Sequence, residues 1–317
     1  MKRVLVLGGT GFVGRALCET LVKVAGGAAR ITVPSRRPAQ ARTLWMLPGV
    51  ELLRADVHDE AQLARLLKGQ DAVVNLVAIL HGSEAAFHEA HVELPRKLAR
   101  ACRAAGVRRV VHVSALGAAV GAPSRYLRSK AEGELVLRKA NLDLTVLRPS
   151  VIFGAQDRFL NLFARLQALF PVMPLAGADA RFQPVWVNDV AQAIVNALRS
   201  HEAIGATYEA TGPRQYTLQE LVQLAGAWSG RPRRILPLPP ALGRLQARLL
   251  ELLPGEPLMS RDNLASMTVP NVASGQVPRL AALGIRPTAL EAVMPEHLSR
   301  SGGAARLDGW RREARRG

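Results

Sequence analysis

The stretch Val4-Leu5-Val6-Leu7-Gly8-Gly9-Thr10-Gly11-Phe12-Val13-Gly14 decides how the rest of the chain is read. Four aliphatic residues without a polar interruption suit a buried strand, and they run straight into glycines. The spacing Gly8-x-x-Gly11-x-x-Gly14 gives each glycine a task at a strand–turn–helix joint. The first permits the tight turn, the second lets a diphosphate approach the backbone, and the third lets helix and strand pack closely. Thr10, Phe12, Val13 and Arg15 then stand around the start of the helix, whose free N–H groups would face an anion.

Working outward, short apolar runs alternate with helical stretches through the first half of the chain. Strands are expected at 4–7, 31–34, 50–54, 72–76, 110–114 and 144–147, and helices at 12–24, 60–67, 84–105 and 125–139. Strand–helix alternation of this kind predicts an α/β fold with a doubly wound parallel sheet of Rossmann type, its ligand crevice at the strand carboxyl ends. The expected organisation is a dinucleotide-binding domain at 1–150 and a smaller C-terminal lobe at 151–297. Within that lobe 185–211 should return to the sheet, and a basic, flexible tail is expected at 298–317.

Composition narrows the function classes. The 317 residues are 49% hydrophobic, enough for a core without covalent staples. Two cysteines, Cys18 and Cys102, exclude a disulfide scaffold and a cysteine-based zinc site. No apolar run reaches the roughly 18 residues of a membrane span. Lys2-Arg3 before Val4 mimics the start of a signal peptide, but the glycines stop the run too early. The expected location is therefore cytoplasmic, with a peripheral place on the inner face of a membrane left open. A net charge of +17 raises affinity for any polyanion, yet aromatics are only 4% and no nucleic-acid module accompanies the scattered arginines. Specific nucleic-acid binding is not expected. Arginines cluster at 231, 233 and 234 and again at 306, 311, 312, 315 and 316, which keeps an anionic lipid surface open as a partner.

The nucleotide is suggested by the end of the second strand. NAD-selective sites carry Asp or Glu about 20 residues after the glycines, accepting from the ribose hydroxyls. Here the sequence reads Val33-Pro34-Ser35-Arg36-Arg37. Guanidinium groups suited to a 2′-phosphate stand where the carboxylate would be. NADP(H) is favoured and NAD(H) stays open, since Arg36 and Arg37 can also be read as ordinary loop charges.

Ser124-Arg125-Tyr126-Leu127-Arg128-Ser129-Lys130 places Tyr126 and Lys130 on one helix face. A phenol with an unperturbed pKa near 10 needs a neighbouring cation to act as an acid at neutral pH, and Lys130 is placed to supply it. With the glycine turn and this pair in hand, the chain resembles the short-chain dehydrogenase/reductase superfamily, in its atypical or extended branch, over roughly residues 1–295. Tyr126-Leu127-Arg128-Ser129-Lys130-Ala131-Glu132-Gly133-Glu134, Arg148-Pro149-Ser150-Val151-Ile152-Phe153-Gly154 and Asp157-Arg158-Phe159-Leu160-Asn161 are similar to the nucleotide-binding accessory subunit family of respiratory complex I and its bacterial relatives. Pro257-Leu258-Met259-Ser260-Arg261-Asp262-Asn263 is a weaker match.

The resemblance implies a tightly held NADPH and an association with a membrane-bound quinone-linked oxidoreductase or with quinone biosynthesis proteins. It also implies that Asp56, with Val57 beside it, contacts the adenine. Asn75, Leu76, Val77 and Ala78 would line the cofactor, Lys130 would bind the nicotinamide ribose, and Arg148 and Pro149 would lie near the nicotinamide. One departure matters. Active members carry Ser or Thr just beyond the serine that ends strand 5, whereas Ser114 is followed here by Ala115 and Leu116. Loss of such a donor costs on the order of a hundredfold in rate. Tyr126 follows Ser114 by only 12 positions, a short loop for the family.

Two functions therefore stay open: an accessory protein that holds its cofactor, and a reductase or epimerase on a lipophilic carbonyl. In the second, Tyr126 is the acid, Lys130 its activator and Ser114 the carbonyl orienter. His81, His88 and His91 are read as surface or pocket residues and no metal is expected, because no ligand motif supports one. Asp189 is read as a helix N-cap. Leucines at 242, 245, 249, 252 and 253, with Arg244 and Arg248 on the other side, predict an amphipathic helix at 240–253. Its leucines are expected to pack on the lobe, a bilayer interface being the alternative.

Overall fold

A computed structural model describes residues 2–26, 28–252, 255 and 257–299. The expected tail lies outside the described residues from 300 onward, as does Leu253.

Seven strands form one sheet: β1 (Arg3–Leu7), β2 (Arg30–Ser35), β3 (Val50–Arg54), β4 (Ala72–Asn75), β5 (Arg109–Val113), β6 (Asp143–Pro149) and β7 (Thr207–Ala210). Their order is β7-β6-β5-β4-β1-β2-β3, with every neighbouring pair parallel. The order reverses beside β1, which opens a crevice outside the carboxyl ends of β1 and β4. On one face Leu5, Leu7, Val73, Val110, Leu144 and Val146 pack against helix residues such as Leu63, Leu98 and Leu137. The other face is covered by two helices that pack on each other, α1 (Phe12–Ala25) and a later one at Val187–Arg199. Asp189 is thus the third residue of that later helix and sits in its first turn, where it meets the dipole without being the cap.

Element ends have local causes. β4 stops at Asn75 because the Asn75 Oδ1 accepts the Val77 N–H (3.1 Å) and turns the chain. The helical stretch from Glu84 to Ala105 is interrupted by a π-helical turn at Glu89–Glu93. Pro95 explains it: proline has no N–H to give the His91 carbonyl four residues back, and its ring crowds that oxygen. His91 lies four residues after Phe87 on the buried face, its ring 5.7 Å from the Phe87 ring, whereas His88 is exposed.

The chain divides into two compact units. One contains 1–150, 187–211 and 273–286; the other contains 151–186, 212–272 and the residues from 287. Residues 273–286, expected in the lobe, instead bind the sheet's last strand. The Glu209 carboxylate accepts the Ser274 N–H (2.8 Å) and the Glu209 N–H donates to the Pro278 carbonyl (2.8 Å). The second unit has its own core around Phe153, Leu160, Phe163, Phe182, Leu218 and Leu221, with Trp186 packed against it. Its helix Pro240–Glu251 corrects the sequence reading: Gly243 and Ala247 are the buried positions, and Leu242, Leu245, Leu249 and Leu252 are exposed. Among the described residues no helix is long and apolar enough to cross a membrane.

Candidate nucleotide site

The glycine turn has the geometry of a phosphate cradle. Gly8 has φ +78°, a left-handed conformation that side-chain-bearing residues rarely adopt, and the turn closes through the Gly11 N–H and the Gly8 carbonyl (3.0 Å). A Cβ on Gly14 would lie 2.5 Å from the Gly8 oxygen and 2.5 Å from Gly9 backbone atoms. Glycine there is what brings α1 onto the turn. The helix opens at Gly11 with no side chain capping it and no acid in its first turn, so the amide field of its first residues, Phe12 and Val13, is left for an outside anion. Thr10 and Arg15 flank this mouth, both partly exposed.

At the carboxyl ends of β2 and β3 lies a depression of about 380 Å³ lined by Arg36, Arg54, Ala55, Asp56 and Gln62. Arg54 has no signal in its local sequence. It enters through sheet register, because Ser35 on β2 is paired with Arg54 on β3. Arg37 does not line the depression; its N–H donates to the Ser35 Oγ (3.2 Å), so Ser35 shapes the loop. Asp56 is held in place from both sides. Its N–H donates to the Gln62 Oε1 (3.0 Å), and its Oδ1 accepts the His58 N–H (3.0 Å). Val57 faces the sheet core.

At the end of β4, the Leu76–Val77 peptide lies against Gly8, about 3.1 Å from where a Cβ would sit. The Asn75 side chain is committed to the scaffold. Its oxygen holds the Val77 N–H, and its nitrogen faces the buried His112 Nδ1 (3.3 Å). Val77 packs partly on the core and Ala78 is exposed. What this strand end offers a ligand is backbone.

The helix Arg125–Arg138 carries Tyr126 and Lys130, and Ser124 caps it by accepting the Leu127 N–H (3.2 Å). Lys130 is 1% exposed, and its Nζ donates to the Val113 carbonyl (2.8 Å). Burial lowers its ammonium to about 8, partly opposed by Glu134. Tyr126 is partly buried with Phe87 and His91 rings edge-on to it, and desolvation raises its phenol to about 12. Burial thus sets the phenol above its ordinary value near 10. Ala115, Ala122 and Leu127 form an apolar cluster against Tyr126. Ser114 is 4% exposed, and its Oγ has no hydrogen-bond partner among the described residues. Arg148 forms a bidentate pair with the buried Glu134 (2.9 and 2.7 Å), and the Pro149 carbonyl accepts the Leu116 N–H (2.9 Å). Both brace the strand ends.

His91 supplies a link that sequence reasoning missed. The Ile79 N–H donates to its Nε2 (3.1 Å), which puts the proton of the neutral ring on Nδ1 to face the Ser129 Oγ (2.8 Å). Ser129 in turn donates to the Tyr126 carbonyl (2.8 Å). Burial holds His91 neutral, at about 3, so the relay that ties the β4 loop to the tyrosine helix does not titrate near pH 7. Among the described residues no group of three metal-ligating side chains converges.

Lys130 gives a pH test. Its folded value lies below the unfolded 10.5, so the unfolded chain binds more protons above pH 8 and stability rises with pH there. Between pH 7 and pH 9 the wild type should gain about 1 kcal/mol relative to Lys130→Met in chemical denaturation. Parallel curves for the two proteins would refute the buried ammonium.

A cradle shaped by glycine, an arginine-lined depression at the second strand and a buried Tyr–Lys helix fit a nicotinamide dinucleotide. The chain belongs to the NAD dependent epimerase/dehydratase family, which it matches over residues 4–210. Within that family it is similar to the NADH dehydrogenase [ubiquinone] 1 alpha subcomplex subunit 9, mitochondrial, of Mus musculus, with 33% identity over 302 residues covering 93% of this chain and 79% of that one. It is also similar to a ceramide reductase of Caulobacter vibrioides, with 30% identity covering 74% of this chain and 73% of the relative. In fold it matches the NADPH-dependent quinone oxidoreductase QOR2 of Escherichia coli, solved with NADPH, at a TM-score of 0.76 and 23% identity over 93% and 99% of the two chains.

Proposed function

We propose that this chain holds NADP(H) as a lasting ligand and acts as an accessory or regulatory factor beside a membrane-bound quinone-linked oxidoreductase or the machinery of quinone biosynthesis. The observation that carries the reading is a contrast within one fold. The glycine turn leaves backbone amides free for a diphosphate and Arg36 and Arg54 line one depression, while Tyr126 stands against an apolar cluster and the Lys130 Nζ donates to the Val113 carbonyl, an arrangement that supports holding a nucleotide more than turning it over. Arg36 and Arg54 are exposed guanidiniums suited to a 2′-phosphate, which favours NADP(H) over NAD(H). Bound NADPH would supply a hydride at its nicotinamide. The chain's own residues would chiefly bind and orient it, with Gly8, Gly11 and the first amides of α1 on the diphosphate and Asp56 toward the adenine. The link to a quinone-reducing complex is supported by similarity to the subunit named above, and a place on the inner face of a membrane accords with it.

A second reading has its own support. The buried Ser114 Oγ, without a hydrogen-bond partner among the described residues, could be satisfied by a carbonyl substrate. On that reading the chain is a reductase of a lipophilic carbonyl, with Tyr126 donating the proton. The experiment that separates them is turnover. Purified protein should keep reduced-nicotinamide fluorescence through gel filtration, and ubiquinone analogues or long-chain ketones should not discharge it catalytically. Multiple turnovers that vanish in Tyr126→Phe would overturn the accessory reading in favour of the reductase.

A further inference from the structure

The helix Pro240–Glu251 is mounted with its small residues inward. Gly243 and Ala247 are buried, and a Cβ on Gly243 would lie 2.9 Å from the Ala176 Cβ, so the helix backbone sits directly on the strand Val172–Ala176. Gln246 fastens it by donating to the Pro174 carbonyl (3.2 Å). At about 100° per residue the side opposite Gly243 and Ala247 is the leucine stripe. Leu242, Leu245, Leu249 and Leu252 are 51%, 53%, 57% and 78% exposed. Four leucines in one outward row exceed the scattered apolar residues of an ordinary surface. The neighbouring strand Arg234–Leu238, paired with Val172–Ala176, adds an exposed Leu236.

Charge identifies the occupant. Arg244 and Arg248 border the stripe, and Arg233 and Arg234 stand exposed at the adjoining strand. Glu251, the helix's one acid, is partly buried and accepts from the Arg261 Nε (2.8 Å) and N–H (2.7 Å). A second copy docking through this face would press the arginine rows together, which like-charge repulsion opposes. A helix of 12 residues is about 18 Å long, too short to span a bilayer and suited to lying in its interface. We propose that the outward face of Pro240–Glu251, with its flanking arginines, docks on an anionic lipid bilayer: the leucines enter the acyl boundary while the guanidiniums meet headgroup phosphates. This rests on the second unit's surface alone and is independent of the nucleotide reading.

The test is co-sedimentation of the full chain with phosphatidylcholine vesicles, with and without phosphatidylglycerol, at low salt. Binding is expected to the anionic vesicles and to fall with added salt. Leu245→Glu/Leu249→Glu should weaken it by about tenfold or more, and Arg244→Glu/Arg248→Glu should do likewise. A chain ending at 299 should keep its dependence on the leucines. Leu245→Ser/Leu249→Ser serves if the glutamates disturb the helix, and unchanged NADPH affinity in each variant reports an intact first unit. Wild-type-like binding by both leucine variants, or no vesicle binding by the wild type, overturns the proposal. So does a dimer that the leucine substitutions dissolve in the absence of lipid binding.

Discussion

Gly14→Ala is expected to lose about 100-fold in NADPH affinity and to lower stability by about 3 kcal/mol. The added methyl would meet three backbone atoms of Gly8 and Gly9 at 2.5 Å, and none of them is the mobile end of a side chain. Overpacking a tight site costs roughly 1–3 kcal/mol, and backbone neighbours put this substitution at the upper end. Relief requires α1 to move off the turn, which pulls its first amides from the diphosphate. Two charge-assisted hydrogen bonds at roughly 1.5 kcal/mol each account for the affinity loss. Gly106→Ala is the control: φ is +73° but nothing lies within 4 Å, so about 1 kcal/mol of backbone strain should appear without any change in NADPH binding. Calorimetric titration and denaturant melts read both. An alanine at 14 that binds NADPH as the wild type does would remove the cradle from the account.

Arg36→Ala/Arg54→Ala should cost about 100-fold in NADPH affinity while changing NADH affinity by less than about threefold. The two guanidiniums line one depression, with the Asp56 carboxylate on the same lining, so a phosphate there would meet two cations. Charge-assisted bonds of roughly 1.5 kcal/mol each, reduced by solvent at this exposed site but reinforced by two charges acting on one dianion, give that size of effect. Arg37→Ala should do much less, because Arg37 lies outside the depression. Equal losses for NADPH and NADH would mean that the arginines act on the diphosphate or on folding.

The sheet was legible because its strands are short, largely apolar runs alternating with helical stretches and because Gly8, Gly11 and Gly14 mark the strand–turn–helix joint. What stayed hidden depends on relations across strands or on exceptions to helical period. Arg54 is an ordinary strand-end charge until register sets it beside Ser35. Spacing groups His91 with His88 three residues earlier, but the partner of His91 on the helix face is Phe87 four residues earlier, and both of these are buried. Periodicity marked the leucines of Pro240–Glu251 correctly as one stripe but gave the wrong side, since the large apolar face is assumed to be the buried one. Gly243 and Ala247 were the counter-signal: small residues one turn apart let a helix sit close with its leucines out. Residues 273–286 carry no period at all and join the first unit through bonds to Glu209, one to its carboxylate and one from its backbone N–H.

The central claim, that the N-terminal glycine turn and its arginines hold a phosphorylated nicotinamide dinucleotide, is tested most directly by titrating the nucleotide-free chain with NADPH and with NADH under one set of conditions. The account predicts saturable one-to-one binding with NADPH at least about tenfold tighter than NADH. Affinity for neither nucleotide, or a clear preference for NADH, would contradict it.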